Sequence, residues 1–181
     1  MLGRMLENLV PIHALGLFIV NVNGDVNQIV IFDYYDENRK CALSLMKASP
    51  IELRRLRERL ISIMQDIVDE EVLEFNGNRV FPEVKHVEIV LKNHLDIVSI
   101  YYIIYFKAKL KSGVNIYEDH YEATKATYDY EAYWIFPFGV KVKDVVMDGE
   151  VRLLADNMVA VYVRKGTRLS GYEKIIFEMP G

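Results

Sequence analysis

Glu118-Asp119-His120-Tyr121-Glu122 is the densest cluster of reactive side-chain types in the chain. On an extended strand, side chains two residues apart share one face at about 7 Å, which groups Glu118, His120 and Glu122. Two carboxylates flanking an imidazole have the donor types for a divalent cation and the titration range for general acid and base work. A plainer reading competes. Lys107, Lys109 and Lys111 alternate with the same period on the preceding strand. A connecting loop of even length would set them against the acidic face as cross-strand ion pairs. The pattern favours that charge ladder; under the other reading Glu118, His120 and Glu122 are the catalytic candidates of a hydrolase-like, small-molecule enzyme.

The remaining candidates for chemistry are sparser. His86 and Glu88, followed by His94 and Asp96, have the residue types of a two-histidine, one-carboxylate site, but they fall on the polar side of an amphipathic strand and the turn after it. His13 stands alone in an apolar segment and reads as a hydrogen-bonded core or rim residue. Cys41 follows Arg39 and Lys40, cations that could lower a thiol pKa, yet no histidine is near it in sequence. As the single cysteine it also excludes an intramolecular disulfide and a cysteine-built zinc site. No nucleophile elbow and no phosphate-cradling glycine loop occurs. The expectation is no metal and no cofactor.

Two further patterns point to binding. Arg54, Arg55, Arg57 and Arg59 crowd the first half of a helical segment, while Asp66, Asp69, Glu70, Glu71 and Glu74 crowd its other end. Both placements oppose the helix macrodipole, at about 0.3–1 kcal/mol per terminal charge. Salt bridges within the chain would compensate. So would an antiparallel second copy, each arginine cluster meeting the partner's acidic end, or an anion held by the arginines. The second pattern is aromatic: Tyr102, Phe106, Tyr130, Trp134 and Phe136 lie on strand faces that could pack as core or line a cavity for a small apolar ligand.

The elements that must position these groups are mostly strands. Residues 12–35 read as a hairpin about Asn23-Gly24, the sequence of a type I′ turn, with a loop from Asp33 to Lys40. Ser49-Pro50-Ile51-Glu52 forms a capping box with proline at the first helical position. Leu53, Leu56, Leu60, Ile63 and Ile67 then repeat at helical spacing, which predicts one long helix over 49–74 ending before Asn76-Gly77-Asn78. From residue 84 on, the chain alternates as strands at 84–91, 97–111, 116–125, 127–138, 140–146, 150–154, 158–164 and 172–178. The expected fold is α+β: an extensive antiparallel sheet of about eight to ten strands packed against one long helix. A single domain over 1–181 is favoured, with a possible subdivision into 1–83 and 84–181.

Composition bounds the function. The 181 residues carry a formal charge of −4, and all of that excess precedes residue 84. With a sequence pI near 5.6, nucleic acid is not an expected partner, because phosphate contacts need concentrated positive charge. Tyr and Phe, at twelve and eight, greatly outnumber the single Trp, a mix that suits pleated surfaces. Only two glutamines occur, which suggests a thermophilic source, although ten asparagines weigh against it. No 18-residue apolar segment spans a membrane. The uncharged stretch Asn8–Gly24 lacks a cleavage site and is broken by Pro11, His13 and Gly16, so a cytoplasmic location is expected. These observations favour a non-enzymatic interaction or ligand-binding module that self-associates as a homodimer, with a protein partner or small apolar ligand.

Overall fold

The computed structural model describes Leu6, residues 8–92 and residues 95–181. Strands β1 (Val10–Val20) and β2 (Asp25–Tyr35) pair antiparallel, with Val20 opposite Val26. Their turn is longer than the two-residue form that Asn23-Gly24 predicts, because only Gly24 of that pair has positive φ, at 85°. The Asn23 side chain accepts the Asp25 N–H at 3.1 Å, an Asx turn. Gly24 itself presses against a neighbouring segment: a Cβ there would lie 2.1 Å from the Ala108 carbonyl oxygen.

Two helices follow, where one long helix is expected. α1 (Lys40–Lys47) buries Cys41, Ala42 and Leu45 on one side, and the Asp36 carboxylate accepts the Ala42 N–H at 2.9 Å. α2 (Pro50–Glu70) starts at the Ser49/Glu52 capping box and buries Leu56, Leu60, Met64 and Val68 at steps of four. It stops at Glu70 rather than at residue 74. The next residues have period two, and β3 (Val72–Phe75) buries Leu73 and Phe75. The Asn76-Gly77 pair, expected to end the helix, instead turns β3 into β4 (Asn78–Arg79), with φ of 53° and 70°. Positive φ at both positions is the type I′ requirement.

The remaining strands are β5 (Glu83–Leu91), β6 (Ile97–Lys107), β7 (Gly113–His120), β8 (Thr124–Lys125), β9 (Asp129–Ile135), β10 (Lys141–Val146), β11 (Glu150–Ala155), β12 (Met158–Val163), β13 (Arg168–Leu169) and β14 (Tyr172–Met179). The fold is therefore mostly β, with fourteen strands among the described residues against an expected eight to ten; the surplus is the short pieces β3, β4, β8 and β13. One sheet has seven strands in the order β11-β12-β9-β1-β2-β6-β5, a second has five in the order β10-β14-β7-β3-β4, and β13 pairs with β8. The large sheet is mixed rather than antiparallel throughout, since β1 and β9 run parallel. Consecutive strands β6 and β7 belong to different sheets. The lysine–acid ladder between them does not form, and Lys107 instead meets Asp25 of β2 at 2.7 Å.

One face of the large sheet carries both cores. The five-stranded sheet covers one part of it, enclosing Phe75, Phe106, Tyr117, Trp134, Phe136, Ile175 and Phe177. α1 and α2 cover another, where Leu56, Leu60, Met64 and Val68 meet Val84, Val87, Val98, Ile100, Tyr102 and Ile104. Burying each such large side chain stabilises by about 1.5–3 kcal/mol. β6 runs through both, giving Phe106 to the first and Val98, Ile100, Tyr102 and Ile104 to the second. No helix among the described residues is long and apolar enough to cross a membrane.

Candidate functional site

Where the second sheet and α2 meet over the large sheet, the packing leaves a cavity of about 280 Å³. Small residues make its floor: Ala14 and Gly16 on β1 lie beside Ala132 on β9, with Gly16 opposite Ala132 in register. Their neighbours Phe18, Val30 and Phe32 point the same way and remain only half-buried. Phe18 stacks on Trp134 at 4.2 Å, and Tyr121, Tyr128 and Tyr130 complete an aromatic wall.

Of the four acids that line the cavity, Glu131 is on β9 beside the floor, and Asp119, Glu173 and Glu71 come from the second sheet and the end of α2. Asp119 on β7 and Glu173 on β14 are direct register partners, so their Cβ atoms are about 4.5–5.5 Å apart. On its other flank Asp119 pairs with Leu73 of β3. Glu71 follows the last residue of α2 and precedes β3, two residues before Leu73, with extended backbone. The Tyr121 hydroxyl donates to Glu173 Oε1 at 3.2 Å. Asp119 is 7% exposed, and its Oδ1 has no hydrogen-bond partner among the described residues.

Burial dominates the electrostatics of this cluster. It pushes Glu71 up to about 8, assisted by the charges of Asp119 and Glu173. It pushes Glu173 up to about 7, with Asp119 adding to the effect, and Asp119 up to about 6 against the opposing influence of His120 and Tyr117. Three acids in one pocket cannot all ionise cheaply, so they share protons. At neutral pH the three therefore carry fewer than three negative charges between them. The same cause raises the phenols of Tyr117, Tyr121 and Tyr130 well above their ordinary value. Two kinds of chemistry suit the arrangement: binding a cation with N–H donors, and proton donation by a neutral carboxyl.

The sequence candidates distribute unevenly around this site. Glu118 and His120 lie on the other face of β7 from Asp119, and Glu122 lies beyond the strand end. Glu118 accepts the Tyr172 hydroxyl at 2.7 Å, and His120 packs on the Tyr172 ring. Tyr130 and Trp134 line the cavity, and Tyr102 lines a second cavity beside it. Phe106 and Phe136 are core residues, 1% and 2% exposed. Arg54, Arg55 and Arg59 are exposed on α2, whereas Arg57 meets Glu88 at 2.7 Å. His86 is exposed and 3.6 Å from Glu88, and His94 lies outside the described residues. His13 Nε2 is 3.8 Å from Glu131. Cys41 is buried, and burial pushes its thiol up to about 11 with Asp36 contributing, the reverse of the lowering that Arg39 and Lys40 imply. Among the described residues no three His, Cys, Asp or Glu side chains are placed to hold a metal ion.

The three carboxyls themselves carry a sequence signal. Glu173 is in phase with Ile175 and Phe177, and Glu71 with Leu73 and Phe75. An acid on the apolar parity of a strand is a charge directed at the core. Asp119 shares its parity with Tyr117 and Asn115, but the outward set includes Ile116 and Val114, so alternation alone does not assign its face.

No family model matches the chain, and no curated protein matches it. It is similar to a solved structure from Parabacteroides distasonis, provisionally described as a protease, at 8% identity and a TM-score of 0.35. That match covers 96% of this chain and 41% of the other, so the chain spans less than half the length of that protein. A likeness at this level carries neither fold nor activity across.

Proposed function

We propose that the chain is a ligand-binding module whose cavity between the sheets holds a small organic cation, an ammonium or guanidinium compound. One observation carries the reading: Asp119, whose buried Oδ1 has no hydrogen-bond partner among the described residues, lines the cavity beside Glu173 and Glu71. A buried acceptor left unmatched costs about 1–3 kcal/mol, more when charged. The charge of a cationic ligand offsets the repulsion among Asp119, Glu173 and Glu71, and its N–H groups lie beside the Asp119 carboxylate. Phe18 and Tyr130, aromatic side chains in the same lining, suit the same ligand, because a cation over an aromatic ring gains about 0.5–2 kcal/mol.

Trp134 is the only tryptophan and lines the cavity, so its fluorescence reports occupancy. Titration with butylammonium is expected to change that emission saturably, with butyrate inert. Ala132→Leu, which fills the floor, should abolish the response. An equal response to butyrate, or none to butylammonium, overturns the reading.

Self-association through α2 is a second reading, supported by its solvent face. Ile51, Ile63 and Ile67 are 64%, 44% and 49% exposed there, with exposed Arg54 and Arg55 in the first half of the helix and exposed Asp66, Asp69 and Glu70 in the second. Two antiparallel copies would match these charges. Light scattering should give a dimer mass that falls to the monomer in Arg54→Glu/Arg55→Glu; a monomeric parent protein overturns it.

A further inference from the structure

The carboxylate cavity adjoins a larger one. A second void of about 470 Å³ lies between α2 and the same face of the large sheet. Gln28, Val30, Phe32, Glu71 and Tyr128 line both. Away from that shared wall the lining is almost wholly apolar: Leu60, Met64 and Val68 of α2 face Ile100, Tyr102 and Ile104 of β6. Ile63 and Ile67 also line it while remaining 44% and 49% exposed, so it opens along one edge of α2. Cores normally interdigitate with few voids larger than a water molecule. Here two adjoining cavities share a wall of five residues, the outer one lined by apolar side chains along a helix edge and the inner one bearing the carboxyl groups of Asp119 and Glu173, with Glu71 at the boundary.

We infer that the ligand is a single-chain cationic amphiphile, a long-chain alkylammonium or alkylguanidinium compound, with its headgroup at Asp119, Glu173 and Glu71 and its tail beneath α2 against β6. This rests on the cation reading of the first cavity and specifies the rest of the molecule. Each end selects on its own chemistry. The acidic end rejects fatty acids by like-charge repulsion, and the outer cavity rewards each methylene it removes from water. Burial of one methylene corresponds to about fourfold in affinity.

The test is a calorimetric series of n-alkylammonium ions from butyl to dodecyl, each below its micelle concentration, against alkyl sulfates of equal length. Affinity should rise about fourfold per methylene and then level off once the outer cavity is full. Ile67→Phe narrows that cavity at its half-exposed rim without adding bulk to the closed core. It should bring the levelling to a shorter chain. Butylammonium binding with no gain along the series overturns the tail site and leaves the cation site standing. Alkyl sulfates that bind as well as the ammonium ions overturn the headgroup assignment. Absence of butylammonium binding removes the cation site, and this inference with it.

Discussion

Replacing Glu71 by Gln isolates the cost of the carboxyl cluster. In the fold burial holds Glu71 at about 8, against an ordinary value of 4.5. The folded state therefore binds a proton that the unfolded chain has released, and stability falls as pH rises from about 4.5 toward 8. A carboxyl protonated in the fold and ionised in the unfolded chain costs about 1.4 kcal/mol per pH unit. Between pH 5 and pH 8 this reaches a ceiling of about 4 kcal/mol. Solvent reaching the cavity and proton sharing with Asp119 and Glu173 reduce it to about 2 kcal/mol. Glutamine keeps the shape and cannot ionise. Urea unfolding at both pH values should show Glu71→Gln nearly matching the parent at pH 5 and exceeding it by about 2 kcal/mol at pH 8. A stability difference that is the same at both pH values refutes the reasoning, because a merely packing effect has no such pH dependence.

Three other perturbations test the frame around the site. Asn76 has positive φ, donates to Lys109 O and Asn115 Oδ1, and accepts the Ile116 N–H; Asn76→Ala should cost about 2–3 kcal/mol in urea unfolding. The Arg57–Glu88 pair is 2.7 Å long with side chains 38% and 43% exposed, so a double-mutant cycle should give a coupling of only about 0.5–1 kcal/mol. Cys41 is 2% exposed with its thiol pushed up to about 11, and a thiol reagent should label it only after denaturant is added.

Much of the scaffold is legible in the sequence because its signals are local. The Ser49/Glu52 capping box and the stripe through Leu56 and Leu60 mark the start and buried face of α2, and alternation marks β5 and β6. The signals that mislead are those whose meaning depends on distant partners. Asn76-Gly77 suits a helix end and a hairpin turn equally; only the docking of Leu73 and Phe75 into the core between the sheets decides for the hairpin. Lys107, Lys109 and Lys111 match the acids of β7 in period, but pairing is decided by which sheet each strand joins. At the site, strand alternation groups Glu118, His120 and Glu122 on one face, and Asp119 between them is the side chain that lines the cavity. Its companions come from positions 71 and 173, and only the β3–β7–β14 pairing brings them together. The cavity itself follows from what is missing, the side-chain bulk at Ala14, Gly16 and Ala132, and small residues leave no mark in a hydrophobic pattern.

The central claim is that proton-sharing carboxyls receive a cation, and proton release measures it most directly. Calorimetry of butylammonium binding at pH 7, repeated in buffers of different ionisation enthalpy, counts the protons leaving per cation bound. A cation entering beside Asp119, Glu173 and Glu71 lowers all three pKa values, so about half to one proton should be released, and Asp119→Asn should weaken binding at least tenfold by removing the charged acceptor, about 1.4 kcal/mol or more. Binding that releases no protons and survives Asp119→Asn contradicts the account.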